Sequence, residues 1–151
     1  MDGASIGMKS MSAVRLELAF FDTNILVYAD DGNDPVKQQK ARELIRLYFS
    51  AERGVISVQV LQEYFNTVTS KTGLDHAVAR AKVNQLRRFV TVDTDSEDVL
   101  SAIDLCRLHG LSFWDSLIVH SAKQSACKVL FSEDLQHGRD IDELRIVDPF
   151  R

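Results

Sequence analysis

The sequence predicts an α/β fold, a single domain built on a parallel sheet of about five strands. Three observations carry that expectation. Short apolar runs bounded by turn residues alternate with longer stretches of helical periodicity, which is the pattern of βα units and a parallel sheet. The length of 151 residues is that of one domain, which buries roughly 70% of its unfolded surface. A content of 45% hydrophobic and 26% charged residues is that of an ordinary globular protein.

Residues 1–18 show no clear periodicity and are expected to form a poorly ordered N-terminal extension, with Met1, Met8 and Met11 as alternative starts. The folded domain is expected over 19–151. Ala19 to Asp22 is the first strand, an apolar run that ends abruptly on an acid, with a second apolar run behind Asn24. Asp34-Pro35 is a helix start, a capping acid followed by proline at the first helical position. Ala41, Leu44, Ile45 and Tyr48 then recur at helical spacing, and Gly54 closes the element. Val55-Ile56-Ser57 is the second strand. The helix behind it turns Val60, Leu61, Tyr64, Phe65 and Val68 inward, keeps Gln59, Glu63 and Asn66 on another face, and ends at Gly73. A helix over 75–88, with Ala77, Val78, Ala81 and Leu86 as its apolar positions, leads into the third strand, Phe89 to Val92. Thr94 with Glu97 reads as a capping box for a helix through Val99, Ala102, Ile103 and Cys106 that stops at Gly110. Ser112 with Asp115 resembles a second box, opening a helix from Leu117 to Ala126. Lys128 to Phe131 and Leu144 to Val147 are the fourth and fifth strands.

No apolar run approaches the ~18–20 residues that span a bilayer, so no membrane association is expected. The first twenty residues hold Asp2 and Glu17 and lack an apolar core of the secretory kind. Cys106 and Cys127 stand alone in apolar surroundings, as buried reduced thiols of a cytoplasmic protein do. The net charge is −4, whereas general nucleic-acid binders are more often basic. Where the charges fall matters more than their sum.

Asp22 and Asp134 each follow an apolar strand directly. Glu63 lies within two turns of the helix start behind the second strand, and Asp115 lies in a first helical turn. Each has an ordinary structural role available: turn acid, solvated helix face or capping partner. In a parallel sheet, however, all four project toward the edge where strands end and ligands bind. Two carboxylates ~5 Å apart repel by about 3 kcal/mol at an effective dielectric of ~20. Four together therefore call for cations or raised pKa values. An all-oxygen donor set points to Mg²⁺ or Mn²⁺. Such ions acidify a water and clamp a phosphate for displacement. His76, His109, His120 and His137 share no ligand spacing.

The same residues carry a family resemblance. Phe21-Asp22-Thr23-Asn24-Ile25-Leu26, the lone Glu63 in Val60-Leu61-Gln62-Glu63-Tyr64, Ser112-Phe113-Trp114-Asp115-Ser116-Leu117-Ile118 and Phe131-Ser132-Glu133-Asp134-Leu135 resemble, in order and spacing, the four motifs of PIN-domain nucleases. Among these the chain is most similar to the VapC-type toxins of bacterial toxin–antitoxin pairs. The resemblance covers about residues 19–150. It implies a parallel sheet of about five strands between helices, and Mg²⁺- or Mn²⁺-dependent cleavage of RNA by metal-activated water. It further implies Asp22, Glu63, Asp115 and Asp134 as the metal-binding catalytic acids, with Thr23, Asn24 and Ser132 supporting them. An antitoxin protein and a second copy of the chain are the partners it implies. At the fourth motif the family pattern favours Asp134, and the sequence leaves its neighbour Glu133 as the alternative.

Residues 71–90 hold Lys71, Arg80, Lys82, Arg87 and Arg88 against the single acid Asp75. Arg80 and Arg87 are two helical turns apart and share a face, as phosphate-holding cations do. Arg139, just past the fourth motif, is a separate candidate RNA contact. Two other functions compete with the nuclease. A non-catalytic PIN module that binds RNA or protein does not need four acids. A phosphohydrolase with an aspartyl nucleophile typically carries a second aspartate two residues on, where this chain has Asn24.

Overall fold

A computed structural model describes residues 16–151. Most of the extension expected over 1–18 therefore lies outside the described residues. Leu16 and Leu18, at its end, already pack against the core. The elements are β1 (Ala19–Phe21), α1 (Thr23–Tyr28), α2 (Pro35–Ser50), β2 (Gly54–Ser57), α3 (Val58–Ser70), α4 (His76–Leu86), β3 (Val90–Val92), α5 (Ser96–His109), α6 (Phe113–Gln124), β4 (Val129–Phe131), β5 (Asp140–Ile141) and β6 (Leu144–Val147). They form one sheet in the order β3-β2-β1-β4-β6-β5. The first five strands of that order run parallel. β5 is a two-residue antiparallel edge strand paired with β6, which the sequence did not announce. Among the described residues no helix is long and apolar enough to cross a membrane.

β1 lies at the centre. Its three residues, Ala-Phe-Phe, are fully buried, as a strand covered on both faces requires. The Phe21 ring packs against Tyr48 of α2, Phe89 at the entry to β3 and Phe131 of β4, with centroids 5.3–5.6 Å apart. Aromatic pairs at that spacing add roughly 0.5–1.5 kcal/mol each beyond area burial. This cluster fixes where β1 stops, and so where the backbone turns at Asp22. At the opposite end of the sheet, a Cβ on Gly54 would collide with the Phe89 ring. Glycine there lets β2 and β3 close up.

Several local expectations change. The apolar run behind Asn24 is a short helix, α1. Its residues Ile25 and Leu26 are buried, and packing overrides the modest helix preference of β-branched residues. The capping box of α5 is formed by Asp95 and Asp98, one residue later than Thr94 and Glu97. Ser112 does cap α6, accepting from the Asp115 backbone at 3.1 Å, but the helix begins at Phe113 rather than Leu117. α4 turns Ala79 inward, with Val83 and Leu86 against the core, whereas Ala77, Val78 and Ala81 face solvent. On α5, Ala102 and Leu105 are buried, while Val99 and Ile103 are exposed. Both cysteines are free. Cys127 is buried, which pushes its thiol up to about 12, and Cys106 is half-buried.

Candidate functional site

From β1 the chain moves outward through β2 to β3, then returns to place β4 on the other flank of β1. That reversal opens a crevice beyond the carboxyl ends of β1 and β4, where open α/β sheets bind ligands. Asp22 closes β1 and is buried. Its Oδ1 accepts from the Thr23 backbone N–H at 2.8 Å, and its Oδ2 accepts from Ser132 Oγ at 2.7 Å. Burial raises its pKa from 3.8 to about 6. The Ser132 and Thr23 hydrogen bonds oppose that rise, and the charges of Asp134 and Glu63 add to it. Burial thus outweighs two favourable hydrogen bonds at this carboxylate.

Asn24 is the hub between the first and fourth motifs. Its Nδ2 donates to Asp134 Oδ2 at 3.0 Å and, more loosely, to Asp22 Oδ2 at 3.4 Å. Its Oδ1 accepts from the Glu133 backbone at 3.1 Å. Ser132 Oγ also accepts from the Asp134 backbone at 3.2 Å, so one buried hydroxyl positions two acids.

Glu63 comes to the same edge on α3, which starts directly behind β2. Gln59, one turn earlier, donates to Glu63 Oε1 at 3.0 Å, and Thr23 Oγ1 makes a longer contact of 3.5 Å. Partial burial raises the Glu63 pKa, and the charges of Asp115 and Asp134 raise it further. Asp115 lies in the first turn of α6. The preceding carbonyl, that of Trp114, faces Gln59 Nε2 at 3.4 Å, bringing the starts of α3 and α6 together. The structure thus brings Asp22, Glu63, Asp115 and Asp134 to one edge, where each acts on another electrostatically. Among the described residues, no three acid, histidine or cysteine side chains close into a ready-made metal cage.

Glu133 lines the cleft at this edge, but its carboxylate is engaged by α1 and α2. Its carboxylate accepts from Tyr28 Oη at 2.7 Å and Lys37 Nζ at 2.5 Å, and that tie pins α1 and α2 to the loop behind β4. Of the two acids at the fourth motif, Asp134 is the one hydrogen-bonded to Asn24, which also reaches Asp22.

Thr23, Asn24, Glu63 and Asp134 line an open cleft of about 380 Å³, with Thr67 and Lys71 further along α3. A larger hollow of about 710 Å³ beside Gly54, Phe89 and Val90 lies at the opposite end of the sheet, away from the acids. Arg80 and Arg87 are exposed on α4 and do not line the cleft; Arg87 donates to Asn84 at 3.1 Å. Arg139 does not line it either. Its Nη2 donates to the His109 carbonyl at 2.8 Å and ties down the end of α5. Gln59 is the neighbour that sequence reasoning left without a role, and Lys71 enters there only as part of the basic run 71–90. Gln59 had a signal in its spacing, one helical turn before Glu63.

The signature of the PIN domain matches residues 19–142. The chain belongs to the PIN domain family. Among solved structures, it is similar to a toxin–antitoxin complex from Klebsiella pneumoniae, with a TM-score of 0.66 and 18% identity over 87% of this chain and 97% of that one. It is similar also to DNA-bound VapBC from Salmonella typhimurium, with a TM-score of 0.63 and 21% identity over 89% and 99%. A third is VapC20 of Mycobacterium tuberculosis, a toxin that cleaves the sarcin–ricin loop, with a TM-score of 0.62 and 17% identity over 77% and 91%. At such identities the likeness is one of fold. No curated protein sequence matches the chain.

Proposed function

We propose that the protein is a metal-dependent endoribonuclease, the toxin of a toxin–antitoxin pair, with Asp22, Glu63, Asp115 and Asp134 as its metal-binding acids. The observation that carries this reading is the buried Asp22, its pKa lifted to about 6 at an edge where Glu63 and Asp134 add their charges. Hard oxygen donors with excess negative charge fit Mg²⁺ or Mn²⁺. Such an ion supplies charge neutralisation at the phosphate and a more acidic water.

The chain's own residues supply the rest. Ser132 and the Thr23 backbone orient Asp22, Asn24 sets Asp134 relative to it, and Gln59 sets Glu63. All four acids reach the crevice from four different elements, so their spacing is set by the sheet rather than by one loop. The antitoxin partner and the second copy of the chain belong to this reading through the resemblance to VapC-type toxins. Two of the structural neighbours, the toxin–antitoxin complex and VapBC, support the first.

The test is incubation of the purified protein with RNA, transfer RNA and single-stranded DNA in Mg²⁺, Mn²⁺ or EDTA. RNA is expected to be cut in either metal and left intact in EDTA, with Asp22→Asn inactive. Cleavage that survives EDTA, or full activity in Asp22→Asn, contradicts the metal mechanism. Intact RNA under every condition leaves the non-catalytic binding module as the better reading.

A further inference from the structure

The cleft lined by Glu63 and Asp134 continues along α3. Glu63, Thr67 and Lys71 follow one another at four-residue intervals and line the same wall. Residues so spaced stack on one helix face, and eight residues of helix carry the wall about 12 Å from Glu63 to Lys71. Lys71 is the one lysine or arginine among the described lining residues. Its side chain is exposed, and no described carboxylate lies within ion-pair distance of it. The other nearby cation, Lys37, is engaged by Glu133 and by the Tyr28 hydroxyl. Asp31 and Glu133 also face the cleft. An RNA strand entering it therefore meets repulsion along most of its length, relieved by ions at the acid end and by Lys71 at the other.

We propose that Lys71 is a phosphate-binding subsite, holding the RNA backbone at a phosphate beside the one that sits at the acids. The inference rests on the nuclease reading for the place of the scissile phosphate. Lys71 is too far along α3 to share that phosphate with Glu63, so it engages a neighbour. It therefore contributes to the binding of an oligonucleotide and not to that of a dinucleotide, which has no second internucleotide phosphate.

The experiment measures binding of a fluorescent hexaribonucleotide by anisotropy over a range of salt, with Ca²⁺ in place of Mg²⁺, for wild type, Lys71→Ala and Lys71→Arg. Cleavage of a hexanucleotide and a dinucleotide in Mn²⁺ is followed in parallel. Lys71→Ala is expected to weaken hexanucleotide binding about five-fold at low salt and to flatten the slope of log affinity against log salt by about 0.7–1. Lys71→Arg restores both, and turnover of the dinucleotide does not change. Unaltered affinity and slope in Lys71→Ala overturn the subsite, as does an equal loss on the dinucleotide. If wild type binds the hexanucleotide through Lys71 yet cuts neither substrate in Mn²⁺, the subsite stands and the nuclease reading falls. If wild type binds no RNA, both fall.

Discussion

Asp22 meets opposing influences, and their balance sets a pH dependence. The fold favours its protonated form, moving the pKa from 3.8 to about 6 through burial first. Between those values the folded chain binds a proton that the unfolded chain has released, so stability falls as pH rises through the window. Above pH 6 the ionised side chain costs about 3 kcal/mol. Asn at this position removes the titration while losing part of the acceptor capacity that Ser132 and Thr23 use, a loss of about 1 kcal/mol. In EDTA at pH 7.5, Asp22→Asn is therefore expected to be more stable than wild type by up to about 2 kcal/mol, and the gain vanishes near pH 4. Denaturant melts at both pH values check this, and a difference that does not change with pH refutes it. Asp115 follows a similar logic. As a helix-start acid its charge contributes roughly 0.3–1 kcal/mol, yet it also bears on Glu63. Asp115→Asn is expected to melt at or above wild type in EDTA, and a lower melting temperature there together with the full stabilisation by added Mn²⁺ would make it a capping partner and not a ligand.

At the level of elements, β1 to β4 and β6 were legible because buried strands read as short apolar runs, and α2 because Asp34-Pro35 marks its start. α1 was not, since Ile25 and Val27 favour extended backbone and only burial beneath the sheet edge makes six residues helical. The two-residue β5 leaves no periodicity to find. The phase of α4 was misjudged because its apolar residues are few and small, so Ala79 outweighs Val78 only once the neighbouring helices are in place. Candidate acids could be named because Asp22 and Asp134 follow apolar strands and Glu63 and Asp115 lie near the starts of helices. Thr23, Asn24 and Ser132 could be named as supports only through the family resemblance, and that Asn24 ties the first motif to Asp134 could not be read, because the contact spans 110 residues. Arg139 shows the same limit, since its proximity to the fourth motif in sequence suggested RNA, whereas its guanidinium holds the His109 carbonyl at the end of α5. Gly110 ends that helix with φ of 68°, a conformation that glycine adopts without strain. Arg139→Ala is expected to lower stability by roughly 1 kcal/mol and leave the salt slope of RNA binding unchanged. A shallower slope at unchanged stability would return Arg139 to the RNA interface.

For the whole molecule, a sheet whose strand order reverses at β1 gathers acids from β1, α3, α6 and the loop behind β4, and that gathering is what a divalent ion would read. A metal site formed jointly by these four segments, as proposed, would have a property that no single acid explains: each carboxylate would be needed for the affinity of the whole. The direct measurement is a calorimetric titration of Mn²⁺ into the protein without RNA, for wild type, Asp22→Asn, Asp115→Asn and, as a scaffold control, Arg139→Ala. Wild type and Arg139→Ala are expected to bind Mn²⁺ alike, and each acid variant to bind at least about ten-fold more weakly, since even residues behind the ligands cost that much in metal sites. Mn²⁺ binding in Asp22→Asn and Asp115→Asn equal to that of wild type would contradict a shared metal site at this edge.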